Sequence, residues 1–176
     1  MRLVIPEVVV SQFYLREGDV VADFGAGSGY FCKVLSAAVG PSGRVYACDI
    51  QKVLVEKLGA QAIAQGLENV ATVWCDLEAV DGTKLQTGEL DAAIVVNTLF
   101  QIEDKPTFLT EASRTLRPGG KLLIVDWTDA ASVIGPQADV VIAANDCTAL
   151  VESHGFVLER DFEAGEHHYG LAFRKV

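Results

Sequence analysis

Short unbroken apolar runs alternate along this chain with stretches whose apolar residues recur every three or four positions. Residues 20–23, 44–49, 70–75, 90–97 and 116–126 carry the apolar runs and read as strands, the first buried and the fourth fully so. Between them, Phe31, Val34, Leu35 and Ala38, then residues 51–65, then Pro106, Leu109, Ala112 and Leu116 have helical spacing. Breakers at Gly40-Pro41-Ser42-Gly43, Gly66 and Pro118-Gly119-Gly120 mark the joints, the last as a turn leading into its strand. Residues 3–16, with Pro6 near the start and Val9, Val10, Phe13 and Leu15 following, predict a short amphipathic helix. A further helix is expected from about Ala143 to His154, closed by Gly155. Residues 156–162 and 169–176 alternate apolar and polar positions around a turn at 163–168, the pattern of an antiparallel hairpin. Repeated strand–helix steps imply an α/β fold, a mostly parallel sheet with helices on both faces.

With 176 residues, half of them hydrophobic, the chain suits a single domain, 1–176, with a sizeable core. Its 24 acids outweigh 14 bases, and no basic patch stands out, which argues against a nucleic-acid substrate. No apolar run is long enough for a membrane span. The opening MRLVIPEVVV, broken by Pro6 and Glu7, makes a poor signal peptide, so a cytoplasmic location is expected. Cys32, Cys48, Cys75 and Cys147 form no C-x-x-C pair and no zinc-like spacing, which predicts buried, reduced packing residues and no metal site.

The chemistry concentrates in VVADFGAGSGYF, residues 20–31. A strand ends in Asp23, and Gly25, Gly27 and Gly29 follow at alternate positions before a helix begins. A chain that passes from strand to helix in so few residues needs backbone angles that a Cβ resists. Bare backbone also lets a ligand rest against the free N–H groups of a helix start. The dinucleotide fingerprint is G-x-G-x-x-G, but Tyr30 occupies the third-glycine position here. Asp23 would repel a pyrophosphate and suits a ligand with a cationic ammonium.

The string resembles the first motif of class I S-adenosylmethionine (SAM) dependent methyltransferases, small ones akin to the quinone-biosynthesis C-methyltransferases. The resemblance covers nearly the whole chain. It implies a Rossmann-like doubly wound sheet of seven strands in the order 3-2-1-4-5-7-6, strand 7 antiparallel. It also implies that Asp23, Gly25, Ala26, Gly27 and Gly29 hold the aminocarboxypropyl end of the cofactor. Asp49 ends the second strand twenty residues beyond Gly29, a spacing that fits a carboxylate accepting both ribose hydroxyls, or simply an N-cap for the next helix. Ile50 stands where an apolar side chain can pack on adenine. By the resemblance Asp76 accepts from the adenine amino group, Leu77 supplies a backbone N–H, and Asn97 ends the strand that faces the transferred methyl.

Many relatives carry a histidine pair shortly after that fourth strand; this chain has Phe100 and Gln101, so no general base is evident there. Methyl transfer from an activated sulfonium asks mainly for positioning, and no catalytic residue is singled out. On the acceptor side the candidates are Tyr30, Phe100, Trp127, His167 and His168. The cover over the acceptor is expected from Trp127, the 128–140 loop, the hairpin or another subunit, which leaves a homo-oligomer open. Two readings compete: a methyltransferase acting on a small-molecule acceptor, and a module that binds SAM or S-adenosylhomocysteine without turnover. A nicotinamide oxidoreductase is disfavoured by Tyr30 and Asp23.

Overall fold

Asp23 belongs to an interior strand of the sheet. In the computed structural model, which describes residues 4–128 and 135–176, β1 (Val20–Phe24) has neighbours on both sides and is almost wholly buried. Its parallel partners are β2 (Arg44–Asp49) and β4 (Leu90–Val96), and β3 (Val70–Trp74) adds outside β2. On the other side follow β5 (Leu116–Trp127), β7 (His168–Lys175) and β6 (Phe156–Gly165). The order is β3-β2-β1-β4-β5-β7-β6, with β7 antiparallel to both its neighbours, as the resemblance implies.

Because side chains alternate across a strand, each strand feeds two cores. On one face Ala22, Phe24, Leu122, Ile124, Leu171 and Phe173 pack with α4 (Lys105–Thr115) and α5 (Ala144–Glu152). On the other, Val21, Val45, Ile94 and Leu123 pack with α1 (Pro6–Ser11) and α2 (Cys32–Val39). There Leu58 of α3 (Lys52–Ala64) closes on Ala47 and Cys32. All four cysteines are buried with free thiols.

Three local expectations are corrected. The first helix is six residues, not the span 3–16. Past Gln12 the chain turns so that Phe13 enters the core and Tyr14 takes a left-handed φ of 51°. The Tyr14 ring lies between the Arg160 guanidinium, 4.8 Å away, and the Lys121 ammonium, 5.8 Å away. Those cation–π contacts favour the turn over a further helical turn. Pro118-Gly119-Gly120 does not precede the fifth strand but bulges within it. Leu90 pairs with Leu116 and Ala92 with Lys121, so Arg117–Gly120 loops out of register. The hairpin turn is shorter than 163–168: β6 runs to Gly165, β7 starts at His168, and Glu166-His167 alone make the bend. Of the expected 128–140 cover, residues 129–134 lie outside the described residues.

One buried polar cluster ties the β3–β4 connection to α4. Glu111, 3% exposed, accepts from the Thr83 N–H at 3.1 Å, the Thr83 hydroxyl at 2.5 Å and Arg114 Nη2 at 2.7 Å. Burial pushes its carboxyl upward, but the Arg114 and Thr83 hydrogen bonds outweigh that and hold it at about 2. With the folded pKa below the unfolded one, this stabilisation is present above about pH 4.5 and is lost as pH falls through about 2. Glu111→Ala is expected to cost about 2 kcal/mol, since it orphans the buried Thr83 N–H and takes the acceptor from the Thr83 hydroxyl. Urea denaturation at neutral pH checks this, and an unchanged midpoint would refute it.

Candidate active site

The carboxyl ends of β1, β2 and β4 meet where the strand order reverses, between β1 and β4. Ligands of open α/β sheets sit in such crevices. After Phe24 the chain folds back on itself: the N–H groups of Gly25 and Ala26 both donate to the Cys48 carbonyl at 2.9 Å. The Gly27 N–H donates to Asp49 Oδ2 at 2.9 Å, and the Gln51 N–H donates to Asp49 Oδ1 at 2.8 Å. Asp49 therefore joins the glycine turn to the start of α3, as well as facing the crevice.

The three glycines do different work. A Cβ on Gly25 would lie 2.3 Å from Thr98 Oγ1, and one on Gly29 2.1 Å from Leu58 Cδ1. Both are packed against neighbouring side chains. Gly27, with φ +53°, has no side chain near its missing Cβ, only the Gly25 carbonyl oxygen at 4.0 Å. Gly27 is the open floor of the crevice.

Two cavities share that floor. One, of about 390 Å³, is bordered by Gly25, Gly27, Asp49, Ile50, Asp76 and Leu77, and by Asn97, Gln101 and Ile102 on the opposite wall. The other, of about 430 Å³, is bordered by Asp23, Ala26, Tyr30, Phe31, Asn97, Trp127 and His168, with Val4 at its mouth. Each falls in the size range of small-molecule sites, about 300–1,000 Å³. Asn97, at the end of β4 with a left-handed φ of 52°, stands between them.

Charge in the crevice is unbalanced. Asp23 is 2% exposed, and burial, with Asp49 nearby, raises its carboxyl to about 7. Five buried side-chain polar atoms among the described residues lack a hydrogen-bond partner. Three of them, Asp23 Oδ2, Asn97 Oδ1 and His168 Nε2, belong to residues of the second cavity. Orphaned buried acceptors are costly, and their clustering here marks a place built for a donor-bearing guest.

Several expected residues stand elsewhere. Gly29 borders neither cavity and serves packing against Leu58. Phe100, in the 3-10 turn Leu99–Gln101, borders neither; the same turn presents Gln101 and Ile102 instead. His167 is in the hairpin bend, where its carbonyl accepts from the Thr128 N–H at 2.8 Å, and does not border the cavities. His168 does, as the first residue of β7, 7% exposed rather than a solvated turn residue. Asp126 ends its strand at the same edge, yet its oxygens accept from the N–H groups of Trp127 at 2.8 Å and Phe100 at 3.1 Å. Val4 was not legible as a wall residue: its approach depends on the Tyr30 hydroxyl, which donates to its carbonyl at 3.4 Å.

Residues 22–124 match the family described as "Methyltransferase domain". The chain belongs to the class I SAM-dependent methyltransferases. It is 30% identical over 125 residues to a ubiquinone/menaquinone biosynthesis C-methyltransferase of Hahella chejuensis, covering 70% of this chain and 49% of that protein. It is 32% identical over 157 residues to an arsenite methyltransferase of Aquipseudomonas alcaligenes, covering 81% and 45%. The chain thus spans under half the length of these curated relatives. A SAM dependent methyltransferase from Aquifex aeolicus superposes with a TM-score of 0.91 at 29% identity, covering 99% of this chain and 91% of that one. SAM is the cofactor of the family, and the crevice fits it: an orphaned buried carboxylate for an ammonium, an open glycine floor, and Asp49 beside it. Among the described residues no helix is long and apolar enough to cross a membrane.

Proposed function

We propose that this chain transfers a methyl group from SAM to a small-molecule acceptor, working as one unit over residues 1–176. The observation that carries the reading is the orphaned, buried Asp23 carboxylate at the junction of two cavities, one lined for an adenosine and the other by aromatic rings. Asp23 pairs with the cofactor ammonium, and the open backbone at Gly25, Ala26 and Gly27 carries the carboxypropyl end. Asp49 keeps unused lone pairs on both oxygens for the ribose hydroxyls. Exposed Ile50 and buried Leu77 sandwich the adenine, and Asp76 accepts from its amino group. Asn97 stands at the passage between the two cavities. When bound, SAM supplies an electrophilic methyl on a sulfonium. The residues around it orient the acceptor and keep water out, which is enough to accelerate such a transfer.

Tyr30, Trp127 and His168 form the acceptor side in this reading. The test is calorimetric titration with SAM, S-adenosylhomocysteine and NAD. Binding of both adenosyl ligands in the micromolar range, with none for NAD, is the expected result. No binding of either adenosyl ligand would refute the proposal. Binding without S-adenosylhomocysteine formation across an acceptor screen would favour the non-turnover module. Asp49→Ala is expected to weaken SAM by roughly 10–100-fold, about 1–3 kcal/mol, through lost charge-assisted hydrogen bonds. Unchanged affinity in that variant would sink the ribose assignment.

A further inference from the structure

One side chain in the aromatic cavity has its hydrogen bonding half complete. His168 Nδ1 lies 2.9 Å from the Glu166 carbonyl oxygen. A carbonyl only accepts, so Nδ1 carries the proton, and in the neutral ring the lone pair is on Nε2. Nε2 is buried and has no hydrogen-bond partner among the described residues. Burial disfavours the charged ring and moves its pKa below the ordinary histidine value, so it is neutral at neutral pH. The Trp127 ring lies 4.2 Å from the imidazole, tilted by 41°, and fixes its plane. The chain thus holds a neutral imidazole in one tautomer, with its basic nitrogen unused, on the wall of a cavity of about 430 Å³.

We propose that His168 Nε2 takes the proton of the methyl acceptor, and that this acceptor is a phenol or enol. The inference rests on the methyltransferase reading above. Tyr30, Phe31, Val96 and Trp127 offer a flat apolar body its walls. A cationic amine would need a carboxylate, but Asp23, the one acid among the described residues that border this cavity, is committed to the cofactor ammonium. A carboxylate acceptor would set lone pairs against the Nε2 lone pair, and among the described residues no lysine or arginine borders the cavity to hold it. A thiophilic acceptor would find none of the four cysteines there. A phenol or enol hydroxyl donates to Nε2 and needs no counter-ion.

In the step, the acceptor O–H bond breaks and its proton goes to Nε2. The freed electron pair forms the new bond from oxygen to the methyl carbon, and the electrons of the S–CH₃ bond return to sulfur. One positive charge enters on the sulfonium and one remains on the imidazolium, which then loses its proton to solvent. The lone pair at Nε2 is what makes this proton transfer available.

The test needs no turnover. para-Nitrophenol is added to the full chain saturated with S-adenosylhomocysteine, at a pH below the phenol's own pKa, where it is neutral. The wild type is expected to bind it, with the ¹⁵N signal of His168 Nε2 moving as the lone pair accepts the phenol's hydrogen bond. His168→Asn keeps a donor toward the Glu166 carbonyl and removes Nε2. It is expected to bind the phenol at least tenfold more weakly while binding S-adenosylhomocysteine within twofold of wild type. Undiminished phenol binding in the Asn variant, or a wild-type Nε2 signal that does not move, overturns the proposal. So does a saturated wild-type complex that fails to bind the probe. Failure of the wild type to bind S-adenosylhomocysteine at all would instead remove the methyltransferase reading beneath it.

Discussion

Asn in place of Asp23 is expected to weaken SAM binding by about 100-fold while making the unliganded protein more stable above about pH 7. Both effects have one cause. Burial, and secondarily Asp49, raises the Asp23 carboxyl to about 7, because an anion there has lost its water and gained no partner. The folded pKa exceeds the unfolded value of 3.8, so the favourable term is complete below about pH 4 and is lost as pH rises through about 7. Above that the empty protein carries an unpaired buried charge. Asn removes the charge and keeps the shape, which should stabilise the apo form by roughly 2 kcal/mol and raise its melting temperature by about 4–8 °C. The ligand's ammonium loses its counter-charge in the same substitution. For the wild type, SAM affinity should fall by about tenfold per pH unit below 7, because bound Asp23 must be ionised. The Asn variant should lack that slope. A wild-type affinity that is flat from pH 5 to pH 8, or equal melting temperatures for the two apo proteins, would contradict the assignment.

The second large effect separates two glycines in the same turn. Gly29→Ala places a Cβ 2.1 Å from Leu58 Cδ1 on a backbone with φ +81°. Leu58 is a buried residue of α3 wedged against Ala47 and Cys32, with little room to retreat. A loss of about 3–5 kcal/mol is expected, read as a large drop in the denaturation midpoint. Gly27→Ala meets open space, so only the left-handed backbone, φ +53°, is penalised, at about 1–2 kcal/mol. Its methyl projects into the crevice, and SAM affinity should fall by at least about 30-fold through lost close approach to the backbone. Paired melting and titration experiments on the two variants decide the matter. Full SAM affinity in a folded Gly27→Ala protein would mean that this turn is architecture alone.

The sheet was largely legible because its interior strands β1, β2, β4 and β5 are mostly buried on both faces. The unbroken apolar runs ending at Asp23 and Asp49 needed no tertiary information to be read. The acids at the ends of those runs, Asp23 and Asp49, border one crevice, as their places in the sequence suggest. What stayed hidden depends on partners distant in the chain. Tyr14 leaves the helical path because Lys121 and Arg160 are waiting for its ring. Asp126 looks like a site acid by position, but the N–H groups of Trp127 beside it and of Phe100 in the neighbouring turn take it up. His167 and His168 are indistinguishable as a dipeptide. A hairpin bend of two residues puts one in the bend and the other inside the sheet, and no propensity specifies that length.

The position of β7 has a consequence for how the protein is made. β7 is synthesised after β6 but lies between it and β5. Until β7 emerges from the ribosome, β5 is a bare edge and β6 has no partner, and such edges invite pairing with other chains. Strands β1 to β5 and their glycine turn can assemble earlier, with Asp23, Asp49 and Asn97 in place. Every residue proposed to hold the cofactor is thus synthesised before His168, which completes the wall against Trp127. A ligand already seated at that stage would act on this protein as a folding aid.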